Sequence, residues 1–360
     1  MQIAKNHTEI KSQLPNLTSL RFFLAIFVVL YHLPQYCENR GFPFFNKLPI
    51  FFKGDEAVFM FFSLSGFLII RGLITEKSKN GFIDLKKFYL RRVLRIFPLY
   101  YLILIFGFIF YKIIAPHFGY VDTSNYNLLL GIILGSSFFA NILATMKPGG
   151  MLEILWSIGI EEQFYIFIAP VLKFMKIKNF VLFLFLFTTL YFIIFHLSEL
   201  NFLSNYSMYF YFFSFSGVIA YLSLQKTIII KSYICYPVYG LFLMLFFSNS
   251  IRENLNTTLY NLICMMTFSL TIWMLSQKSI SFLNHRILNH LGKISYGIYM
   301  YHAVVFQLIG FVFIKFKIPK LISSNNSILL FYGVVISITI IISHFSFKYF
   351  ENYFIKLKKH

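Results

Sequence analysis

An arginine and a histidine stand eleven positions apart in an otherwise apolar run, LTSLRFFLAIFVVLYH: Arg21 and His32. On a helix they lie about 16 Å apart along the axis and roughly 20° apart around it, at 1.5 Å and 100° per residue. Both therefore face one side, a cation deep in the bundle and an imidazole nearer its other end. That arrangement suits an anionic substrate brought up to a general base. Two simpler readings fit the same residues: a snorkelling arginine and a histidine buried with its hydrogen bond satisfied.

Further on, the stretch from Arg71 to Arg95 holds eight basic and two acidic residues and ends in LRRVLRIFPLYYL. Arg92 and Arg95 are three apart and share a helical face, a geometry in which guanidinium forks can grip phosphate bidentately. The alternative is that any inward-facing loop is basic. The segment LWSIGIEEQFYIFIAP sets Glu161 and Glu162, after Trp156 and Ser157, inside an apolar run. Consecutive helical residues diverge by about 100°, so a single cavity can take only one of the two carboxylates. There it could orient an imidazole or take a proton from a hydroxyl; the other reading is an acid at a helix start, a place Glu153 fills better. Tyr296 and His302 in ISYGIYMYH, and His344 and Glu351 in SHFSFKYFE, read first as structural. A supporting part at a site is the alternative for Tyr296 and His302. Ser63, Ser65 and Gly66 of FFSLSGFLI read as small-residue helix packing and not as a serine nucleophile, while His117 and His196 carry no signal.

Ionisable groups within a membrane cost about 2.5–3.5 kcal/mol each on insertion scales, which is why these few invite a functional reading. The chain as a whole demands a membrane. Its 360 residues are 58% hydrophobic, 21% aromatic and only 12% charged, where soluble domains carry roughly 25% charged residues. The fold class expected is all-α: a polytopic bundle of about ten transmembrane helices at ~20 residues each. Continuous apolar runs exclude the alternating pattern of a barrel, and such hydrophobicity excludes disorder. The net charge of +19 would suggest nucleic acid in a soluble protein, but here it follows from basic loops, and no nucleic-acid partner is expected. Cys37, Cys235 and Cys264 are scattered, with neither a paired framework nor metal spacing. No zinc pattern, P-loop or dinucleotide fingerprint is present, so no metal is expected.

Apolar runs place spans near 17–34, 56–75, 96–115, 153–172, 179–197, 206–224, 233–249, 256–275, 294–314 and 328–347. An eleventh apolar stretch, 126–146, contains Gly131, Gly135, Ser136, Ser137 and Asn141. Parity decides its treatment. With ten spans and a cytoplasmic N-terminus, most of the 32 basic residues fall inside, from Lys5 and Lys11 through Lys173, Lys176 and Lys178, Lys226 and Lys231, to Lys356, Lys358 and Lys359. An eleventh span would invert everything after it, so 126–146 is expected to be re-entrant or surface-lying, with both termini cytoplasmic. The first helix is expected to be retained, since no cleavage site follows it. One membrane domain over 1–360, with no soluble domain appended, must then do any chemistry itself.

In this order the segments resemble the membrane-bound acyltransferase family 3, the O-acetyltransferases that decorate bacterial glycans. The similarity rests on LTSLRFFLAIFVVLYH, FFSLSGFLI, RRVLRIFPLYY, LWSIGIEEQFY, LGKISYGIYMYH and the closing YFE, from Leu17 to Glu351. Each motif alone is weak; six in sequence are specific. The resemblance puts the family's Arg and His on Arg21 and His32, its RxxR pair on Arg92 and Arg95, and its WSxxxE glutamate on Glu161. There are departures: Phe59 occupies the usual acidic position before FFxLSGF, with Glu56 the nearest acid, and Asn352 follows the last Glu where Pro is usual.

The resemblance implies an inner-membrane enzyme that moves an acyl group, usually acetyl, from cytoplasmic acetyl-CoA to a glycan hydroxyl. The acceptor would be a surface glycan or its lipid-linked precursor, such as O-antigen, capsule or exopolysaccharide. Acyl-CoA would be a co-substrate, with no tightly bound cofactor, and membrane lipid a partner. His32 is expected as the base and Glu161 as the group orienting its imidazole. Arg92, Arg95 and Arg21 would hold the donor, with Trp156, Ser157, Tyr296 and His302 in possible support. A covalent variant has His32 carry the acyl group. A different class also fits aromatic, basic-mouthed bundles, a flippase of a lipid-linked glycan without chemistry; inverted repeats would favour it, and none is visible.

Overall fold

The computed structural model describes residues 14–118, 125–225 and 232–357. Lys5, Lys11, Lys226, Lys231, Lys358 and Lys359, and with them the placement of both termini, lie outside the described residues. No strand occurs among those described. In a bilayer every backbone group must be satisfied within its own segment, and long apolar runs can do this only as helices.

Among the described residues, eight helical stretches are long and apolar enough to cross a membrane. They begin with α1 (Leu17–Asn39), α2 (Gly54–Asn80) and α3 (Leu85–Ile109), which continues through a π turn and a 3-10 turn to Phe118. After two short helices, α4 (Leu128–Ser136) and α5 (Ala140–Ala144), come α6 (Trp156–Phe174) and α7 (Phe180–His196). Two shorter apolar helices follow, α8 (Phe210–Ser223) and α9 (Ser232–Phe247), then α10 (Thr257–Gln277), the cap helix α11 (Arg286–Lys293), α12 (Ser295–Lys315) and α13 (Ser324–Phe345). The eight long helices and the two short ones occupy the ten predicted positions.

Polar residues fix where these helices start and stop. Asp84 accepts from the backbone N–H of Lys87 at 3.0 Å and so caps α3. That N–H, with the Lys87 ammonium, holds the Asp84 carboxyl below its ordinary range. Asn256 caps α10 in the same way. Lys77 at the end of α2 donates to the carbonyls of Leu172, Lys173 and Met175, 2.5–3.0 Å away. The ammonium thereby satisfies the orphaned carbonyls where α6 ends.

The core is built around α2, which packs against α1, α8 and α10. Gly66 sits against the Phe213 backbone, and a Cβ there would overlap the Phe213 carbonyl. For Gly66 the small-residue packing expected of SLSG is what the structure shows.

The 126–146 stretch folds back on itself. Helix α4 runs alongside α3, with Gly131 against Phe108 and then Gly135 against Leu104. The Tyr100 hydroxyl donates to the Gly135 carbonyl at 2.7 Å. The chain turns at Phe138, whose φ of 62° is left-handed, and returns through α5 until the Asn125 N–H meets the Met146 carbonyl at 3.0 Å. Nine residues of α4 span only about 14 Å, half of what a bilayer core requires. Irregular backbone at this depth needs protein partners. Gln163 supplies them, donating to the Phe138 carbonyl at 2.8 Å and to Asn141 Oδ1 at 2.9 Å. Asn141 in turn donates to the Tyr206 carbonyl at 2.9 Å.

Candidate active site

A Cβ on Gly54 would overlap the Tyr31 ring, so the start of α2 stands level with Tyr31 on α1. From that level Ser65 is eleven residues along α2 and Arg21 ten residues back along α1, about 16 and 15 Å respectively. Antiparallel helices therefore bring Ser65 and Arg21 to the same depth. Here they line a cavity of about 310 Å³ together with Arg92 and Arg95 of α3, Ser157, Glu161 and Tyr165 of α6, and Ser295, Tyr296 and Tyr299 of α12. Phe61, Phe62, Leu68 and Ile158 supply apolar wall.

The polar side chains of this cavity hold one another in place. Glu161 accepts from the Ser65 hydroxyl at 2.6 Å and from the Tyr165 hydroxyl. The Tyr165 ring lies 5.2 Å from the Arg92 guanidinium, which also stacks on Phe88 at 4.4 Å. Tyr299 donates to the Ile154 carbonyl at 2.9 Å and shares a 2.6 Å hydrogen bond with Ser157. Tyr296 is pinned by the Ile96 carbonyl at 2.9 Å. The nearby Arg91 takes a carboxylate of its own, Glu76 at 3.5 Å. Arg21, Arg92 and Arg95 make no ion pair within 4 Å among the described residues, and Arg92 Nε is buried without a hydrogen-bond partner.

His32 stands outside the residues that line this cavity, some three turns from Arg21 along α1. Its Nδ1 is 3.1 Å from Gln35 Oε1, and its ring stacks on that of His302 with centroids 5.5 Å apart and planes 20° apart. The structure therefore corrects the expected partnership. Glu161 does not orient the His32 imidazole; Gln35 does, and Glu161 belongs with the arginines some three turns deeper. Glu162, diverging from Glu161 along the helix, is 4% exposed with Oε1 unpartnered. Trp156 stays off the cavity, packed edge-on to Phe62 and Tyr209.

Besides Ser295, four contributors escaped the sequence reading: Ser65, Tyr165, Tyr299 and Gln35. Three had a signal in helical spacing, since Tyr165 is four residues after Glu161, Gln35 three after His32, and Tyr299 three before His302. Ser65 had none, because a serine beside a packing glycine looks like packing.

At the far end of the bundle a second polar cluster is closed on itself. Buried Glu56 meets Lys53 at 3.6 Å, Arg252 at 3.3 Å and the Tyr260 hydroxyl. Arg252 also pairs with Asp55 at 3.1 Å, and Lys53 Nζ donates to the Ser248 carbonyl at 2.8 Å. Burial alone would lower the Arg252 guanidinium, but Glu56 and Asp55 outweigh it and hold its pKa above the ordinary value.

Comparison with known proteins names this architecture. The family model described as an acyltransferase domain, acyltransferase family 3, matches residues 14–345. The chain belongs to that family. It is an acyltransferase, which decides against a flippase without chemistry. A putative acetyltransferase of Acidianus two-tailed virus is 28% identical over 324 residues, covering 86% of this chain and 88% of the viral one. Peptidoglycan O-acetyltransferase OatA of Listeria monocytogenes is 30% identical over 181 residues, 47% of this chain and 26% of OatA. A putative O-acetyltransferase of Staphylococcus aureus (strain COL) is 27% identical over 179 residues, 48% of this chain and 27% of the relative. The chain thus aligns with only about a quarter of the length of these two bacterial relatives. No solved structure matches.

Proposed function

We propose that this acyltransferase moves an acyl group, most simply acetyl, from cytoplasmic acyl-CoA to a hydroxyl of a cell-surface glycan or its lipid-linked precursor, from a bacterial inner membrane. The observation that carries the reading is the cavity in which Arg21, Arg92 and Arg95 stand without carboxylate ion pairs. Arg21 and Arg92 are partly buried and Arg95 is exposed; cations so placed without a carboxylate partner call for an anion, and guanidinium forks match phosphate. Coenzyme A supplies that anion and an elongated arm. Arg92 and Arg95 would take its phosphates while the pantetheine runs past Arg21, Ser65 and Glu161, whose donors and acceptors suit its amides. The thioester would then stand near Tyr299, one turn below His32. In this reading His32 is the base that takes the acceptor's proton, with Gln35 fixing its tautomer and ring.

The names of the bacterial relatives, O-acetyltransferases of which one acts on peptidoglycan, support an oxygen acceptor. The test is coenzyme A release from acetyl-CoA by purified protein, with and without a crude polysaccharide or lipid-linked glycan extract. Release that depends on the extract, with acetyl ester recovered in it, is expected. Ester formation from a donor lacking phosphates at an equal rate would overturn the reading of the arginines.

A further inference from the structure

His302 is fully buried, and its Nδ1 lies 2.5 Å from the Tyr299 carbonyl oxygen. A carbonyl only accepts, so the ring proton is on Nδ1 and Nε2 carries a bare lone pair. That Nε2 is buried with no hydrogen-bond partner among the described residues. An unsatisfied buried acceptor is costly, so its retention asks for a use. Its position supplies one. Ser295, Tyr296 and Tyr299 line the cavity from α12, and His302 is the next residue on that face, about 4.5 Å further along. Its ring stacks on His32, which is partly exposed and has its own Nδ1 on Gln35 Oε1, leaving a second Nε2 lone pair.

Resting on the acyl-transfer reading above, we propose that the two stacked imidazoles divide the reaction: His302 accepts the acyl group and His32 activates the acceptor hydroxyl. In the first step His302 Nε2 attacks the thioester carbonyl carbon. The C–S bond breaks, and coenzyme A leaves as a thiolate that takes a proton from water on the basic side. The acyl-imidazolium keeps its Nδ1–H on the Tyr299 carbonyl, whose dipole favours the positive ring. In the second step the acceptor oxygen attacks the acyl carbon while its proton passes to His32 Nε2. The C–N bond breaks, its electron pair returns to His302 Nε2, and His32 releases its proton to the far side. Atoms and charge balance without any further reactant. In this division the buried imidazole serves the donor and the partly exposed one the acceptor, which lets the acyl group change sides without coenzyme A doing so.

The test uses the full chain in lipid nanodiscs with radiolabelled acetyl-CoA, first without acceptor and then with glycan extract. Wild type should release a rapid burst of about one coenzyme A per chain, with label recovered in the peptide containing His302. His32→Gln should keep the burst and lose extract-dependent ester formation. In His302→Gln and His302→Asn the burst should fall at least about tenfold. Extract-dependent turnover without a burst, or label on the His32 peptide, overturns the division of labour while leaving the acyl-transfer reading standing. Absence of both burst and turnover would remove that reading as well. The position of label in wild type decides the point even where a His302 variant does not fold.

Discussion

Two clusters of buried charge sit at different depths in this bundle and are treated in opposite ways. Around the cavity three arginines meet one carboxylate, Glu161, already engaged by two hydroxyls. At the far end Lys53 and Arg252 meet Asp55 and Glu56 in a closed set, with Lys53 1% and Glu56 0% exposed. Both clusters bear the desolvation cost of charge. Only the second offsets it internally. A neutral, closed cluster ties the start of α2 to Ser248, Arg252 and Tyr260, and its work is done in the folded state. A cavity with excess positive charge is unfinished until an anion arrives. The difference separates charges that hold the fold from charges that bind a substrate.

That separation can be broken by mutation, because the two clusters should fail in different measurements. The largest effect on activity is expected from His32→Ala, about 10²–10⁴-fold in transfer for a lost general base, with membrane insertion and thermal stability close to wild type. Near-normal activity in that folded variant would remove His32 from the mechanism. The largest effect on folding is expected from Glu56→Ala, which leaves buried Lys53 without a carboxylate and Arg252 with Asp55 alone. About 3–5 kcal/mol should be lost, as for other broken buried pairs, read as a lower midpoint in detergent thermal unfolding. Activity per folded molecule should stay near wild type; a selective loss of turnover instead would place the far cluster in the reaction.

Next comes Glu161→Gln, which preserves an acceptor for Ser65 and Tyr165 but removes the one carboxylate that lines the cavity beside the arginines. With less negative charge beside the arginines the anionic donor should bind more tightly, so KM for acyl-CoA should fall, by the equivalent of about 1 kcal/mol. A collapse of kcat at unchanged KM would return Glu161 to the imidazole. Arg92→Lys should have an effect of comparable size and opposite sign, a loss of about 1–2 kcal/mol in kcat/KM for acyl-CoA, because an ammonium cannot reproduce the bidentate fork or the stacking on Phe88 and Tyr165. The smallest effects are expected from Lys86→Arg and Lys87→Arg, within about 0.5 kcal/mol for surface positions. Equal kinetics in all three variants would reduce the RxxR pair to a signal of topology.

Some of the site was legible in advance because helical geometry is local. Arg21 and His32 had to share a face, Arg92 and Arg95 had to point together, and Glu161 and Glu162 had to diverge. Pairing across helices was another matter. The reading that joined Glu161 to His32 matched a base to the best-placed acid in the chain, but the two come from helices whose relative height is set through α2, by how Gly54 meets Tyr31 and Ser65 meets Glu161. Glu161 arrives at the depth of Arg21. The amide of Gln35, one turn from His32 on its own helix, takes the place assigned to the acid.

The sequence by itself determined the helical class, the number of apolar segments, the positions of the ten helices and the family. These depend on the length of apolar runs, on period and on motif order, all properties of neighbours in the chain. It also marked 126–146 as unlike the rest, because a stretch carrying glycines, serines and Asn141 between basic loops conflicts with charge parity. Only the tertiary structure decided where that stretch turns, which carboxylate neutralises which cation, and that His302 lies on His32. Such pairings depend on the registry of packed helices, fixed by side chains far apart in sequence that touch only once the bundle is assembled.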